Sequence, residues 1–445
     1  MAKTWEEMTP AEKRADLDDK WLNPPGVKFD SPTTEKEYKA RVQRFLDALN
    51  MKKPDRVPIY PMFGLFAAYY SKMTPYDMMY DYDKLMTAFI KYIVDMKPDA
   101  QSGVMIAPPG RVHEILDYKL YHWPGHGVPK EASYQAREGE YMKANEYDEL
   151  IMDPTNFFLT IWLPRVMGSL DGLKMLSPFT NMTEMYGGFT SASLVPFGLP
   201  PVQAALKSLM EAGNEALKWI GTAGAYAGKM VAMGYPGFFG GGCKAPFDTI
   251  GDTLRGTKGM ILDMYRQPKK LLRACEQFIP IMVKMGASAA KMNGAPVVFM
   301  PLHKGADGFM NPQQFEKFYW PSLKAVFEGL IAEGCIPFPW AEGGFDSRLD
   351  VIKDCPPGVL WGFDKVDMVR VKKLLGDHLP IGGNLPSSLL SVGKTEEIKA
   401  AVKKLINDCG KGGGYIMMTG ATIEDVNPAN VKTFIDATKE YGVYK

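Results

Sequence analysis

Four polar residues fall just past the ends of four successive apolar runs. They are His303 after 296–302, Glu342 after 335–340, Asp364 after 358–363 and Asn384 after 379–383. An imidazole and carboxylates hold and move protons, and an amide orients its neighbours by hydrogen bonding. In a barrel of parallel strands, residues at the C-terminal strand ends point into a common mouth, so the four together weigh more than any one. The competing explanation is that each caps the helix that follows, and it is strongest for Asp364 and Asn384. Trp340 and Trp361 lie in the same runs, and with Tyr60, Met62 and Phe63 of the first run they could line an apolar slot suited to an aromatic ring. The 29 Met and 23 Phe fit such a pocket or plain core packing, and the counts do not choose between them.

Other candidate motifs carry less. His122 and His126 flank Trp123-Pro124-Gly125, which cannot form a helix face, and His378 precedes a run on the side away from the mouth. The five cysteines, Cys243, Cys275, Cys335, Cys355 and Cys409, form no C-x-x-C pair, which fits a reducing compartment. Whether a metal binds is unknown: Glu342 and His303 could supply oxygen and nitrogen to zinc, but a third ligand is not evident. Val392-Gly393-Lys394-Thr395 lacks the earlier glycine of a phosphate loop, because Ser388 stands there, and it reads as the start of a helix over 394–408.

The elements that must position these residues are legible as a rhythm. Eight short apolar runs lie at 57–62, 102–107, 235–240, 296–302, 335–340, 358–363, 379–384 and 413–418. They are continuous rather than alternating, as strands buried on both faces are. Helix patterns separate the last six, with starts at Asn311-Pro312 and Asn427-Pro428. This predicts an α/β fold, a (β/α)8 TIM barrel over 56–445. An N-terminal helical extension covers 1–55, and an insertion over about 108–234 lies near the barrel mouth, with a hairpin near 110–145. An open doubly wound sheet is the alternative, but no dinucleotide fingerprint opens a first unit. A formal charge of +1 removes the electrostatic case for nucleic acid or an anionic membrane. No run of eighteen apolar residues occurs, so no membrane span is expected. The charged N-terminus lacks a secretory core, which points to the cytoplasm.

The chain resembles the uroporphyrinogen decarboxylase superfamily. The likeness lies in Gly242-Cys243-Lys244-Ala245-Pro246-Phe247-Asp248-Thr249, Leu254-Arg255-Gly256 and Leu262-Asp263-Met264-Tyr265-Arg266-Gln267-Pro268. It continues through His303 and the helix over 311–330, then Gly383-Asn384-Leu385 and Thr395-Glu396-Glu397-Ile398. It spans about 57–443 and implies a (β/α)8 barrel. The decarboxylases carry an Arg-rich motif after the first strand, whereas Tyr60-Pro61-Met62-Phe63-Gly64-Leu65-Phe66 here has none. The other branch comprises corrinoid-dependent methyltransferases. Its thiol-methylating members resemble one another in a His-x-Cys and later Cys zinc set. Here those positions read Trp340-Ala341-Glu342 and Thr419-Gly420-Ala421.

What remains resembles the methyltransferase components of O-demethylase systems. That resemblance implies transfer of a methyl group from a methyl ether to the Co(I) corrinoid (cobalamin) of a separate corrinoid protein. The methyl donor would be small and apolar or aromatic. The leaving oxygen then needs a proton, with Glu342 the first choice of acid, His303 the second, and Asp364 and Asn384 orienting. A homodimer is open. Two alternatives stay alive. A porphyrinogen-type decarboxylase would be favoured by arginines such as Arg111 or Arg165 at the mouth. A non-catalytic small-molecule-binding barrel would be favoured if His303, Glu342 and Asp364 do not converge.

Overall fold

The computed structural model describes residues 3–182 and 187–444. Two helices open the chain, α1 (Pro10–Leu22) and α2 (Pro32–Leu49). Each starts at a hydroxyl cap, Thr9 or Ser31, with proline in the first turn, where its missing N–H costs nothing.

Nine strands follow among the described residues. β1 (Tyr121–Pro124), β2 (Gly127–Val128) and β3 (Gln135–Ala136) make a small separate sheet, with β1 and β3 antiparallel as the expected hairpin requires. β4 (Gly241–Gly242), β5 (Val297–Leu302), β6 (Ile336–Gly344), β7 (Trp361–Lys365), β8 (Ile381–Gly382) and β9 (Tyr415–Ile416) form one parallel sheet in sequence order. Two extended segments link its edges. Met417 N donates to Pro58 O at 2.9 Å, Asp99 N to Ile59 O at 3.2 Å, and Gln101 N to Pro236 O at 2.8 Å. Eight segments thus follow one another in barrel order, six in a continuous sheet and two joined by single bridges. The first is short because Pro58 and Pro61 have no N–H to extend a ladder. The second runs only over 99–101, and the strand expected over 102–107 is instead a 3-10 turn at Val104–Ile106.

Side chains alternate along these segments. Tyr60, Met62, Phe238, Val297, Phe338 and Trp340 share one inner cluster. Trp21, Tyr38, Val42 and Phe45 of α1 and α2 join it, so the two helices pack onto the inner face of the sheet away from the strands' C-terminal ends. Trp21 Nε1 donates to Gly237 O at 2.9 Å, and the Phe45 ring lies 4.8 Å from that of Phe238. Burying each such ring contributes roughly 2 kcal/mol. Residues of opposite parity, among them Val298, Met300, Ala341, Trp361 and Phe363, pack outward against the helices.

The segment 108–234 includes a helix of 33 residues, Pro200–Ala232, resting on Leu116, Leu170 and Leu173. An arm over 130–142 connects separate strand-end loops of the mouth. Tyr69 Oη donates to Glu131 O at 2.8 Å and Ser133 Oγ to Glu424 at 3.0 Å, while Tyr141 N donates to Leu254 O at 2.8 Å.

Candidate active site

The inward parity of β5 and β6 runs on to His303 and Glu342, and that of β7 to Asp364. His303 is the centre of the resulting cluster. Its Nδ1 lies 2.6 Å from Asp252 Oδ2, and its Nε2 lies 3.6 Å from Glu342 Oε2. Asp252 sits in the turn Gly251–Arg255 that follows the helix Pro246–Ile250 beyond β4. It also accepts from Lys244 Nζ at 2.7 Å, and Lys304 Nζ stands 3.2 Å from its other oxygen. One helical turn earlier, Asp248 is fully buried. It accepts from His303 N at 3.0 Å, Lys304 N at 2.8 Å and Tyr319 Oη at 2.6 Å, fixing the backbone that carries the imidazole. Gly251 makes room for this arrangement, since a Cβ there would lie 2.6 Å from Lys304 Cδ.

These contacts set the charges. Burial alone would raise the Asp252 carboxyl, but the hydrogen bond from His303 and the charge of Lys244 hold it far below the usual carboxylate range. Burial works against a charged His303, yet its bond to Asp252 and the charges of Asp248 and Asp252 outweigh burial and raise its pKa. Glu342 is raised by burial, and by Asp248, Asp364 and Asp252 as like charges, with His303 opposing. Its side chain is still 47% exposed, so a molecule entering the mouth can reach it.

Asp364 meets the cluster through backbone: its Oδ2 accepts from Gly343 N at 3.1 Å, just past Glu342. Asn384 Nδ2 donates to the carbonyls of Asp364 at 3.0 Å and Val366 at 2.9 Å, tying the ends of β7 and β8 together. Neither caps the next helix. Asp367 accepts the capping bond for Met368–Leu375, and Pro386 precedes Ser387–Val392. Trp340 is buried on the inner face two residues below Glu342, its ring 5.9 Å from Phe338. Met62 and Tyr60 also point inward, Tyr60 deeper, 4.6 Å from Phe238.

Two expected slot residues lie elsewhere. Phe63 packs outward on Phe66 and Tyr92. Trp361 is fully buried on the outer face of β7, 5.9 Å from Phe327, with Nε1 on Cys355 Sγ at 3.3 Å. Both have the wrong parity for the interior. Phe239 and Phe299, 4.9 Å apart, supply inner rings instead. Asp248, Asp252, Lys244, Lys304 and Tyr319 were not singled out as site residues from sequence. The signal that could have found the first two was a pair of carboxylates four apart directly after a strand.

Arginines do not gather on this cluster. Arg111 pairs with Glu114, and Arg165 makes two bonds to Glu146. Buried Arg348 is spent on the carbonyls of Gly305, Ala306 and Met310. Among the described residues no Lys or Arg forms an ion pair with Glu342 or Asp364, and no group of three His, Cys, Asp or Glu could hold a metal ion. The donor set does not complete a zinc site: among the described residues no third ligand joins His303 and Glu342, and all five cysteines are buried, with the Cys243 thiol pushed up to about 12 by burial.

Residues 235–441 match the family model described as Uroporphyrinogen decarboxylase (URO-D). A uroporphyrinogen decarboxylase of Tolumonas auensis is 24% identical over 197 residues, 40% of this chain and 50% of its own. One from Psychromonas ingrahamii is 33% identical over 145 residues, 30% of this chain and 38% of its own. The chain thus spans half or less of the length of these curated relatives. A methyltransferase from Methanosarcina mazei superposes with a TM-score of 0.57 at 15% identity, covering 90% of this chain and 98% of that one. At that identity the likeness is one of fold. Residues 235–441 thus resemble the uroporphyrinogen decarboxylase family in sequence, and the chain as a whole shares its fold with the methyltransferase.

Proposed function

We propose that this chain is a cytoplasmic methyltransferase that moves a methyl group from a methyl ether, a methoxylated aromatic, to the Co(I) corrinoid of a separate corrinoid protein. One observation carries the reading: Glu342, half-exposed and with a raised pKa, faces His303 Nε2 at 3.6 Å above a floor of buried aromatic rings. The corrinoid, carried to the mouth by its own protein, supplies the nucleophile that takes the methyl carbon. The residues of this chain answer the remaining difficulty, which is the leaving oxygen. As the oxygen–methyl bond breaks, the electron pair stays on oxygen and Glu342 gives it a proton, releasing an alcohol or phenol. The carboxylate left behind faces His303, whose Nδ1 is held by Asp252, so the imidazole is oriented to receive it. The rings beneath exclude water and offer a flat surface to an aromatic donor.

The printed names of the curated relatives favour a second reading, decarboxylation of a porphyrinogen. That reaction needs cations to meet many carboxylates, and the cationic groups of the cluster, Lys244, Lys304 and His303, are already gathered on Asp252. The test is anaerobic incubation with a reduced corrinoid protein and a panel of methoxybenzenes, following the corrinoid spectrum as it is methylated. Uroporphyrinogen incubated in parallel should release no carbon dioxide. Carbon dioxide release without methyl transfer would reverse the assignment.

A further inference from the structure

Strand order sets a carboxylate that the reaction above does not use on the side of the mouth opposite β6. In an eight-membered ring of strands the first and fifth face each other. The first here is the segment 57–60, and the fifth is β6, which carries Glu342. Glu424 comes from the loop after β9, and that loop is bonded to the extension of the first segment. Gly64 N donates to Ile423 O at 2.9 Å and Ile423 N to Met62 O at 2.8 Å. A Cβ on Gly64 would lie 3.1 Å from Glu424 Cγ and 3.3 Å from Oε1, so the glycine leaves room for this carboxylate. Ser133 of the arm donates to it at 3.0 Å, and Tyr69 and Tyr134 are close enough for its charge to help raise their phenols. Among the described residues no Lys or Arg pairs with Glu424, whose own pKa is raised by burial and opposed by the Ser133 hydroxyl.

The mouth is therefore acidic on both sides, with its cations drawn onto Asp252 beside His303. A substrate carboxylate reaching across would meet like charge. A hydroxyl would find an acceptor.

We infer that Glu424 determines specificity, accepting a hydrogen bond from a hydroxyl at the end of the methyl donor remote from the ether, so that methoxyphenols enter and methoxybenzoates are rejected. The orientation rests on the methyl-ether reading. Calorimetric titration of 4-methoxyphenol and 4-methoxybenzoate into the full chain tests it, alongside Glu424→Ala and Glu424→Gln with circular dichroism to confirm folding. Wild type should bind the phenol at least about 10-fold tighter than the benzoate, and Glu424→Ala should lose about 10-fold for the phenol alone, as a hydrogen bond to a charged acceptor is worth. Glu424→Gln, which keeps an acceptor, should fall between. Equal affinities in wild type, no binding of either compound, or variants that bind the phenol as wild type does would overturn the inference. The expected pattern without methyl transfer to a reduced corrinoid protein would uphold recognition by Glu424 and remove the methyl-ether reading. Methyl transfer indifferent to residue 424 would do the reverse.

Discussion

Replacing Asp252 by Asn tests whether this carboxylate sets the charge of His303. The wild-type ring is pulled two ways: burial disfavours its cation, while the 2.6 Å bond to Asp252 and the nearby charges of Asp248, Asp252 and Glu342 favour it strongly enough to win. Asparagine keeps the shape and removes the charge. A hydrogen bond to a charged group is worth about 1.5–3 kcal/mol. At about 1.4 kcal/mol per pKa unit, His303 should fall by roughly one to two units. Lys244 and Lys304, no longer neutralised, push in the same direction. The ring should then titrate at a lower pH than in wild type. The assay is a proton NMR titration of the histidine Cε1–H signals, with His303→Gln assigning one signal among five. Stability should follow with a definite sign. His303, raised in the folded state, contributes stability that is full below its unfolded value and lost as pH rises through its folded one. Asp252, lowered when folded, contributes above its unfolded value and loses it as pH falls through its folded one. Both dependences should flatten in the variant. A His303 signal that titrates where it does in wild type, or higher, would refute the reasoning.

Glu342→Gln should lower the rate of methyl transfer about 10²–10⁴-fold, the span of general acid catalysis, with the affinity for the methyl donor little changed; single-turnover corrinoid spectra would show it. Asp248→Ala should destabilise the fold by about 3–5 kcal/mol, because it strands buried donors on His303, Lys304 and Tyr319, as urea unfolding would report. Trp361→Ala should cost a similar amount, about 3–5 kcal/mol, without altering methyl-donor affinity by calorimetry, since its ring faces Trp320 and Phe327 rather than the interior.

The rhythm of runs and helix starts was enough to place five of the six parallel strands, and it ended just short of β4 (Gly241–Gly242), because each buried strand must be apolar along its whole length and each crossover helix must announce its start. It misplaced the second segment for a local reason. The apolar run 102–107 looked like a strand, yet the extended backbone lies just before it, where Asp99 is buried. There the carboxylate accepts from Ile59 N and is paired to Arg44 and Arg56. An acid inside a strand reads as a break in a hydrophobic pattern. Only the two arginines, 43 and 55 residues away, make it affordable.

The candidate site divides along a sharper line. His303, Glu342 and Asp364 converge because each continues the inward parity of its own strand, and parity was available in the residue numbers alone. The same arithmetic excludes two of the expected slot residues. Trp361 is an odd number of positions from Asp364, and Phe63 from Met62, so neither member of either pair can face the interior together with the other. Asp252 and Asp248 could not be reached that way. They sit on a helical turn beyond β4 and touch His303 51 and 55 residues later in the chain. The four-residue spacing shows that the two carboxylates share a face, but not which strand end that face meets. The imidazole gains its partners only when β4 and β5 lie side by side, Gly242 opposite Phe299, which brings the turn after one strand onto the end of the next. Position at a strand end thus names the groups that can do the chemistry, and the neighbouring strand's loop supplies the charges that decide when they do it.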